Sequence, residues 1–194
     1  MVAGIILAGG LGRRMGGLDK PLVEIDGLSL LDRVVAALAP QVDAVMLNAN
    51  GDPARFSRFG LPVEADSIPG HAGPLAGVLA GMDWAVRQGL SHIVTVAADT
   101  PLFPADLVRR LGSAGGMLAI AASGGRRHPV FGWWSVALAG RLRRAIRDDG
   151  VRRINGLTAD WGATVVDWPD RPADPFFNVN TPDDIVRLKN LLGS

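Results

Sequence analysis

The chain alternates short apolar runs with longer segments in which apolar residues recur every three or four positions. The runs are typical of buried strands, and the longer segments are typical of amphipathic helices. Strands are predicted at Ala3–Ala8, Ala44–Ala49, Leu61–Ala65, Ile93–Ala98, Met117–Ala122 and Ala163–Val166. Helices are predicted at Leu30–Leu38, Pro53–Phe59, Leu75–Gln88, Ala105–Leu111, Val136–Arg147, Val151–Thr158 and Thr181–Leu192. This alternation predicts a three-layer, Rossmann-like α/β fold in βαβαβα order, with a mostly parallel sheet flanked by helices.

Local signals mark where several of these elements begin and end. Ser29 is suited to cap the helix that follows it, and Thr181-Pro182-Asp183-Asp184 is a strong cap signature for the last helix. We expect residues 123–130 to be irregular, because this segment combines two glycines with a charged stretch. The chain shows no internal repeat, linker or low-complexity tract, so we expect one domain over residues 1–194.

Composition narrows the class of protein. The 194 residues are 48% hydrophobic, which is enough for a full core. A net charge of +1 provides no basic field for nucleic acid, and the absence of cysteine excludes disulfides and thiolate metal sites. No apolar run approaches the roughly 20 residues of a membrane span. We therefore expect a cytoplasmic protein that binds neither nucleic acid nor membrane.

The loop after the first strand is rich in glycine and cations. The stretch from Leu7 to Lys20 contains five glycines, Arg13 and Arg14. Glycine lets backbone N–H groups approach phosphate oxygens, so this loop predicts a phosphate-binding site. It is neither a Walker A loop nor a dinucleotide fingerprint, because Lys20 is followed by proline and Met15 stands where the fingerprint needs glycine or alanine. Lys20 is one of only two lysines beside 18 arginines, which favours a site that needs a compact ammonium.

Polar residues follow the other predicted strands at the same edge of the sheet. Asp99 ends the strand Ile93–Ala98, where a carboxylate suits Mg²⁺, although capping of the next turn would explain it too. Asn48 and Asn50 end the second strand and Asp66 follows the third, and such side chains can read the donor and acceptor pattern of a base. Taken singly, each of these residues also fits a turn.

A further group of polar residues lies late in the chain. Asn178 and Asn180 stand before the capped last helix and have no local explanation, which makes them candidates for substrate binding. His128 follows Arg126 and Arg127, and it is a candidate contact for an anionic substrate.

These motifs resemble the molybdenum cofactor guanylyltransferases, a branch of the nucleotidyltransferase superfamily. The resemblance is carried in order along nearly the whole chain by Leu7-Ala8-Gly9-Gly10, Arg13 to Gly16, Asp19-Lys20, Asn48-Ala49-Asn50, Gly73-Pro74-Leu75-Ala76-Gly77, Asp99-Thr100-Pro101 and Asn178-Val179-Asn180-Thr181-Pro182. It implies the nucleotidyltransferase fold and a Mg²⁺-dependent transfer of GMP from GTP to the terminal phosphate of molybdopterin, which releases pyrophosphate.

The resemblance also implies roles for single residues. Leu7, Ala8, Gly9 and Gly10 would contact the nucleotide, and Arg13 and Lys20 would bind phosphate. Asn48 and Asp66 would help to select guanine and ribose. Asp99 would hold Mg²⁺, and Asn180 would complete the metal or pterin side. Arg13, Lys20 and Asp99 are thus the predicted catalytic residues.

Three alternatives stay open at this point. Within the enzymes, the acceptor or base could differ: cytidylyl transfer to molybdopterin, or guanylyl transfer to a cobinamide or sugar phosphate. A nucleotide-binding carrier without turnover is a third possibility, which the presence of both Lys20 and Asp99 disfavours. We further expect a monomer that makes transient contacts with proteins that supply and receive the cofactor.

Overall fold

The computed structural model describes residues 1–9, 19–68 and 73–193, and within these ranges each of the six predicted strands is present. The strands are β1 (Val2–Leu7), β2 (Glu24–Ile25), β3 (Leu28–Ser29), β4 (Ala44–Asn48), β5 (Val63–Glu64), β6 (His92–Ala97), β7 (Leu118–Ser123), β8 (Arg126–Ser135) and β9 (Thr164–Trp168). The α-helices are α1 (Leu30–Leu38), α2 (Pro74–Arg87), α3 (Leu107–Ser113), α4 (Ala139–Arg147), α5 (Ile154–Asp160) and α6 (Pro182–Leu192). Short 3₁₀ segments lie at Lys20–Leu22, Ala39–Gln41, Pro53–Phe59 and Val136–Leu138.

Seven of the strands form one sheet in the order β5-β4-β1-β6-β8-β7-β9. All neighbouring strands run parallel except at β8, which is antiparallel to both β6 and β7. Because successive residues of a strand face opposite sides, Ile5 lies in the core cluster that contains Leu79 of α2, while Ile6 lies in the cluster that contains Leu31 of α1. The sheet therefore lies between two helical layers, as the expected three-layer fold requires.

Strand β8 corrects two expectations. Residues 123–130 are not irregular: Gly124 and Gly125 form the two-residue turn of a β-hairpin, with φ of 53° and 76°, and the chain enters β8 at Arg126. A type I′ hairpin turn requires positive φ at both central positions, and two glycines adopt this conformation without strain. The order βαβαβα throughout is wrong for the same reason, because β7 is followed by a strand rather than a helix.

A second hairpin joins β2 and β3, which sequence reasoning did not assign. Asp26 and Gly27 occupy its turn with φ of 52° and 80°. An Asp-Gly pair between alternating residues is a strong local hairpin signal. The strands were missed because each is only two residues long.

The two predicted helix caps are confirmed. The Ser29 hydroxyl accepts a hydrogen bond from the backbone N–H of Asp32, whose carboxylate accepts one in return from Ser29 N. Thr181 and Asp184 form the same reciprocal capping box at the start of α6. Capping fixes the entry of α6, and with it the asparagines that precede this helix.

Candidate active site

Three adjacent parallel strands end together and place their following residues at one edge of the sheet. Leu7 of β1 lies between Asn48 of β4 and Ala97 of β6 in the register. The ladder continues one residue further, because Ala8 N donates to Asn48 O at 2.9 Å and Ala98 N donates to Leu7 O at 3.1 Å. Gly9, Asn50 and Asp99 therefore leave the sheet at the same edge, where ligands bind in open α/β sheets.

Lys20 is the meeting point of two distant segments at this edge. Its ammonium donates to Asp99 Oδ2 at 2.6 Å and to Asn180 Oδ1 at 2.7 Å. The Lys20 and Asp99 side chains are 17% and 26% exposed, so the pair is partly shielded but reachable by a ligand. The structure thus brings together Lys20, Asp99 at the end of β6 and Asn180 before α6.

Hydrogen bonds tie the segment before α6 to Asp99 and to its neighbour Thr100. Thr100 is fully buried, and its hydroxyl lies within hydrogen-bond distance of both Asp99 Oδ1 and Asn178 Oδ1. Val179 N donates to the backbone oxygen of Asp99 at 2.9 Å. The Asn178 side chain is thus engaged with Thr100, whereas Asn180 reaches the ammonium. Thr100 belongs to the Asp99-Thr100-Pro101 motif, but it was not predicted as a site residue.

The predicted base-reading residues form a second cluster at the same edge. The Asp66 carboxylate accepts hydrogen bonds from Asn48 Nδ2 at 3.1 Å and from Asn50 Nδ2 at 2.8 Å, and Asp66 N donates to Asn50 Oδ1 at 3.0 Å. Asn48 is buried and Asp66 is half-buried. A side chain at Gly9 would point toward all three, because its Cβ would lie 3.4 Å from Asn48 Oδ1 and 4.0 Å from Asp66 Oδ1. Gly9 therefore leaves open space beside the cluster.

Helix α2 approaches the cluster through Gly77. A Cβ on Gly77 would overlap Asn48 Oδ1 and would lie 2.8 Å from Leu7 Cδ2. The glycine lets the first turns of α2 pack against the ends of β1 and β4. This contact gives the Gly-Pro-Leu-Ala-Gly motif a structural reason within the site.

His128 is placed differently from the expectation that it contacts an anionic substrate. The residue is only 9% exposed, and its Nε2 lies 2.8 Å from the Ser123 hydroxyl, which donates to Asp174 Oδ1 at 2.8 Å. Burial lowers the pKa of His128, and Arg126 lowers it further while Asp174 opposes the change. The ring also stacks on Phe176, with centroids 4.7 Å apart. His128 thus packs beneath the segment that leads to Asn178. A contact with substrate would need an exposed ring, and the ring of His128 is covered.

Sequence reasoning missed Ser123, Asp174 and Arg55 at or near this edge. Arg55 Nη1 lies 2.7 Å from Asp19 Oδ1, and Asp19 directly precedes Lys20. Each of these residues finds its partner across 36 or 51 positions, and no local pattern marks such a pairing. Two predicted site residues, Gly10 and Arg13, lie outside the described residues.

The oxygen atoms around Lys20 bear on the expected metal. Asp99 and Asn180 present a carboxylate and an amide oxygen to one cationic point, and such hard oxygen donors suit Mg²⁺. Within residues 1–9, 19–68 and 73–193 no group of three or more histidine and acidic side chains forms a metal cage. Magnesium is commonly held by one or two protein oxygens together with substrate phosphates and water, so the residues present fit this ion.

Comparisons with known proteins agree with this geometry. A family model described as the MobA-like NTP transferase domain matches residues 4–161, so the fold and site define a nucleotidyltransferase. The chain is 50% identical over 194 residues to the molybdenum cofactor guanylyltransferase of Nitrobacter hamburgensis, covering 97% of this chain and 93% of that protein. It is 51% identical over 193 residues to that of Rhodopseudomonas palustris, covering 96% and 92%. The chain belongs to the molybdenum cofactor guanylyltransferase family.

Solved structures show the same fold. Molybdopterin-guanine dinucleotide biosynthesis protein A of Archaeoglobus fulgidus superposes with a TM-score of 0.75 at 25% identity, covering 98% of each chain. A nucleotidyl transferase of Methanothermobacter superposes with the same score at 19% identity, covering 100% of this chain and 99% of that one, and this match bears on the fold alone. Among the helices of the described ranges, none has the length and apolar character that crossing a membrane requires.

Proposed function

We propose that the chain transfers GMP from GTP to the terminal phosphate of molybdopterin and releases pyrophosphate. The observation that supports this best is the meeting of Lys20 with Asp99 and Asn180 at the edge that also carries Asn48 and Asp66. One group suits a triphosphate and the other suits a base. The names of the curated relatives supply the nucleotide and the acceptor.

The reaction forms and breaks one bond at the α-phosphorus of GTP. A terminal phosphate oxygen of molybdopterin attacks that phosphorus, and the bond to the bridging oxygen breaks so that pyrophosphate leaves with the electron pair. A phosphate monoester is already ionised near neutral pH, so the site needs no general base. Alignment of the reactants and stabilisation of developing negative charge are the main contributions the protein can make.

The residues at the edge divide this work. Lys20 donates to phosphate oxygens, and Arg13 of the preceding loop adds a second cation. Asp99 and Asn180 would hold Mg²⁺, which when bound neutralises phosphate charge. Lys20 already donates to the oxygens of Asp99 and Asn180, so the charges of Lys20 and Asp99 balance each other before a nucleotide binds. Arg13, Lys20 and Asp99 are the proposed catalytic residues.

The Asp66 cluster is proposed to select guanine and to contact the ribose. A carboxylate accepts two N–H donors at once, and guanine presents such a pair on its Watson–Crick edge. Asn48 and Asn50 hold Asp66 in place from two sides. The nucleotide is proposed to contact Leu7, Ala8, Gly9 and Gly10. The space above Gly9 leads to the Asp66 cluster. Asn178 and Asn180 are proposed to lie on the pterin side.

A nucleotide panel tests the proposal. Purified protein with Mg²⁺ and molybdopterin is given GTP, CTP, ATP or UTP in turn, and pyrophosphate release and the pterin product are measured. We expect turnover with GTP, dependent on molybdopterin and on added Mg²⁺. Turnover with CTP instead would indicate cytidylyl transfer. Turnover with GTP only when cobinamide or sugar phosphate replaces molybdopterin would indicate another acceptor, and GTP binding with no turnover would indicate a carrier.

A further inference from the structure

We propose that Arg55 neutralises Asp19 beside the phosphate-binding Lys20 and thereby lowers the repulsion between this carboxylate and the bound nucleotide. The inference rests on the proposed function, because it assumes that GTP binds at this edge. Arg55 lies in the 3₁₀ segment Pro53–Phe59, outside every motif that the sequence singled out.

The guanidinium of Arg55 joins the two halves of the site. Its Nη1 lies 2.7 Å from Asp19 Oδ1, on the phosphate side, and its Nη2 donates to Asn50 O at 2.5 Å, on the base side. Asn50 in turn donates from its side chain to Asp66. Arg55 thus links the residue before Lys20 to the cluster proposed to read guanine. Its guanidinium also lies over the ring of the buried Phe56, 4.7 Å from the centroid, which limits its movement.

Charge gives this link a specific task. Asp19 is a carboxylate next to Lys20 in the chain, and its side chain is 39% exposed. A triphosphate bound by Lys20 would bring several negative charges near that carboxylate, and like charges at short range weaken binding. Arg55 neutralises the charge of Asp19 through the ion pair between the two side chains. An ion pair this exposed contributes little to folding, so its main effect is expected on ligand binding.

Arg58 is a matched comparison within the same 3₁₀ segment. It also lies over a phenylalanine ring, with 4.3 Å to the centroid of Phe59, and it also pairs with a carboxylate, Asp32, at 2.7 Å. Asp32 belongs to the cap of α1 rather than to the nucleotide edge. Loss of Arg58 therefore removes the same kind of interaction without changing charge beside Lys20.

A double-mutant cycle tests the inference on the full chain. The variants are Arg55→Gln, Asp19→Asn, their combination, and Arg58→Gln as the control. GTP binding in the presence of Mg²⁺ is measured by calorimetry, and folding is checked by thermal unfolding. We expect Arg55→Gln to weaken binding by about three- to tenfold, because it exposes the charge of Asp19. Asp19→Asn and the double variant should bind GTP within about twofold of the wild type or more tightly, and Arg58→Gln should bind like the wild type.

The rescue separates charge from structure. A double variant that binds as weakly as Arg55→Gln would overturn the inference, since the loss would then come from the missing bond to Asn50. Binding by Arg55→Gln equal to that of the wild type would overturn it as well. Should Arg55→Gln fail to fold, Asp19→Asn still decides, because weaker binding without that negative charge contradicts the inference. Failure of the wild type to bind GTP would overturn the proposed function and this inference with it. That result is distinct from equal binding by the wild type and the Arg55→Gln variant, which overturns this inference alone.

Discussion

Lys20 Nζ lies 2.6 Å from Asp99 Oδ2, although 79 positions separate the two residues along the chain. Lys20 follows the glycine-rich loop after β1, and Asp99 follows β6, so their contact is a direct result of two neighbouring parallel strands. Each group balances the other's charge in a partly shielded place. The proposed reaction uses the ammonium against phosphate and the carboxylate against a metal ion.

Removal of the ammonium should slow the reaction. For Lys20→Ala we expect kcat/KM for pyrophosphate release to fall by about 30- to 1,000-fold, which corresponds to about 2–4 kcal/mol of transition-state stabilisation by a charge-assisted donor. The chain offers a matched control, because Lys189 is its only other lysine. Lys189 lies on α6 and pairs with Asp26 at 3.3 Å, and Lys189→Ala should retain the wild-type rate. A near-normal rate for Lys20→Ala would contradict the phosphate role.

Removal of the carboxylate should abolish turnover without unfolding the protein. We expect Asp99→Ala to release no pyrophosphate above background and to lose the dependence of GTP binding on Mg²⁺, because the proposed metal ligand is gone. The hydrogen bond from Val179 N to the backbone oxygen of Asp99 does not depend on the Asp99 side chain, so the segment before α6 should stay in place. Steady-state kinetics and circular dichroism measure both. Unchanged turnover would remove Asp99 from the metal site.

Exchange of one oxygen in the base cluster should weaken base selectivity. Asp66→Asn replaces an acceptor by an amide donor, which would face the donors of Asn48 and Asn50. We expect the ratio of kcat/KM for GTP over ATP to fall by about 5- to 100-fold, the effect of about 1–3 kcal/mol from an unsatisfied polar group. Glu64→Gln is the control, since the Glu64 side chain on β5 pairs with Arg87 at the end of α2. An unchanged ratio for Asp66→Asn would place base recognition elsewhere.

A methyl group at Gly77 should disturb both stability and the site. Gly77→Ala would overlap Asn48 Oδ1 and crowd Leu7, so we expect a loss of about 1–3 kcal/mol in the free energy of unfolding and weaker GTP binding. Gly156 in α5 has open space around its Cβ position. Gly156→Ala should therefore stabilise the protein by up to about 1 kcal/mol with no change in binding. Urea unfolding compares the two, and equal stability of the variants would refute the close approach of α2.

Acidification should destabilise the fold through His128, which is buried, and through His92, which is half-buried. Burial lowers the pKa of His128 below the ordinary value of about 6.5, so the unfolded chain takes up the proton first as the pH falls. The contribution to stability is therefore complete above pH 6.5 and is lost as the pH drops toward the lowered pKa. Burial lowers the pKa of His92 as well.

Urea unfolding between pH 7.5 and pH 5.5 measures this dependence for the wild type, His128→Gln and His92→Gln. We expect each variant to lose stability less steeply on acidification than the wild type does. A slope for His128→Gln identical to that of the wild type would show that His128 does not titrate differently in the folded and unfolded chains. Such a result would argue against the burial of the His128 ring.

The sequence by itself determined the six predicted strands, the capped starts of α1 and α6, and the residues at the ends of β1, β4 and β6. These features depend on local pattern: hydrophobic period, cap chemistry and strand-end polarity act within a few residues. The resemblance to a known family added the nucleotide and the acceptor. Location in the cytoplasm, the monomeric state and contacts with partner proteins stay predictions.

Only the tertiary structure decided which of those residues touch. The antiparallel direction of β8 depends on which strands it joins in the sheet, and this is not visible in the local sequence. The hydrogen bond from Ser123, the partner of His128, to Asp174 and the pairing of Arg55 with Asp19 join segments that are far apart in the chain. Such contacts depend on how the sheet orders its strands, and the hydrophobic pattern of one segment does not carry that information.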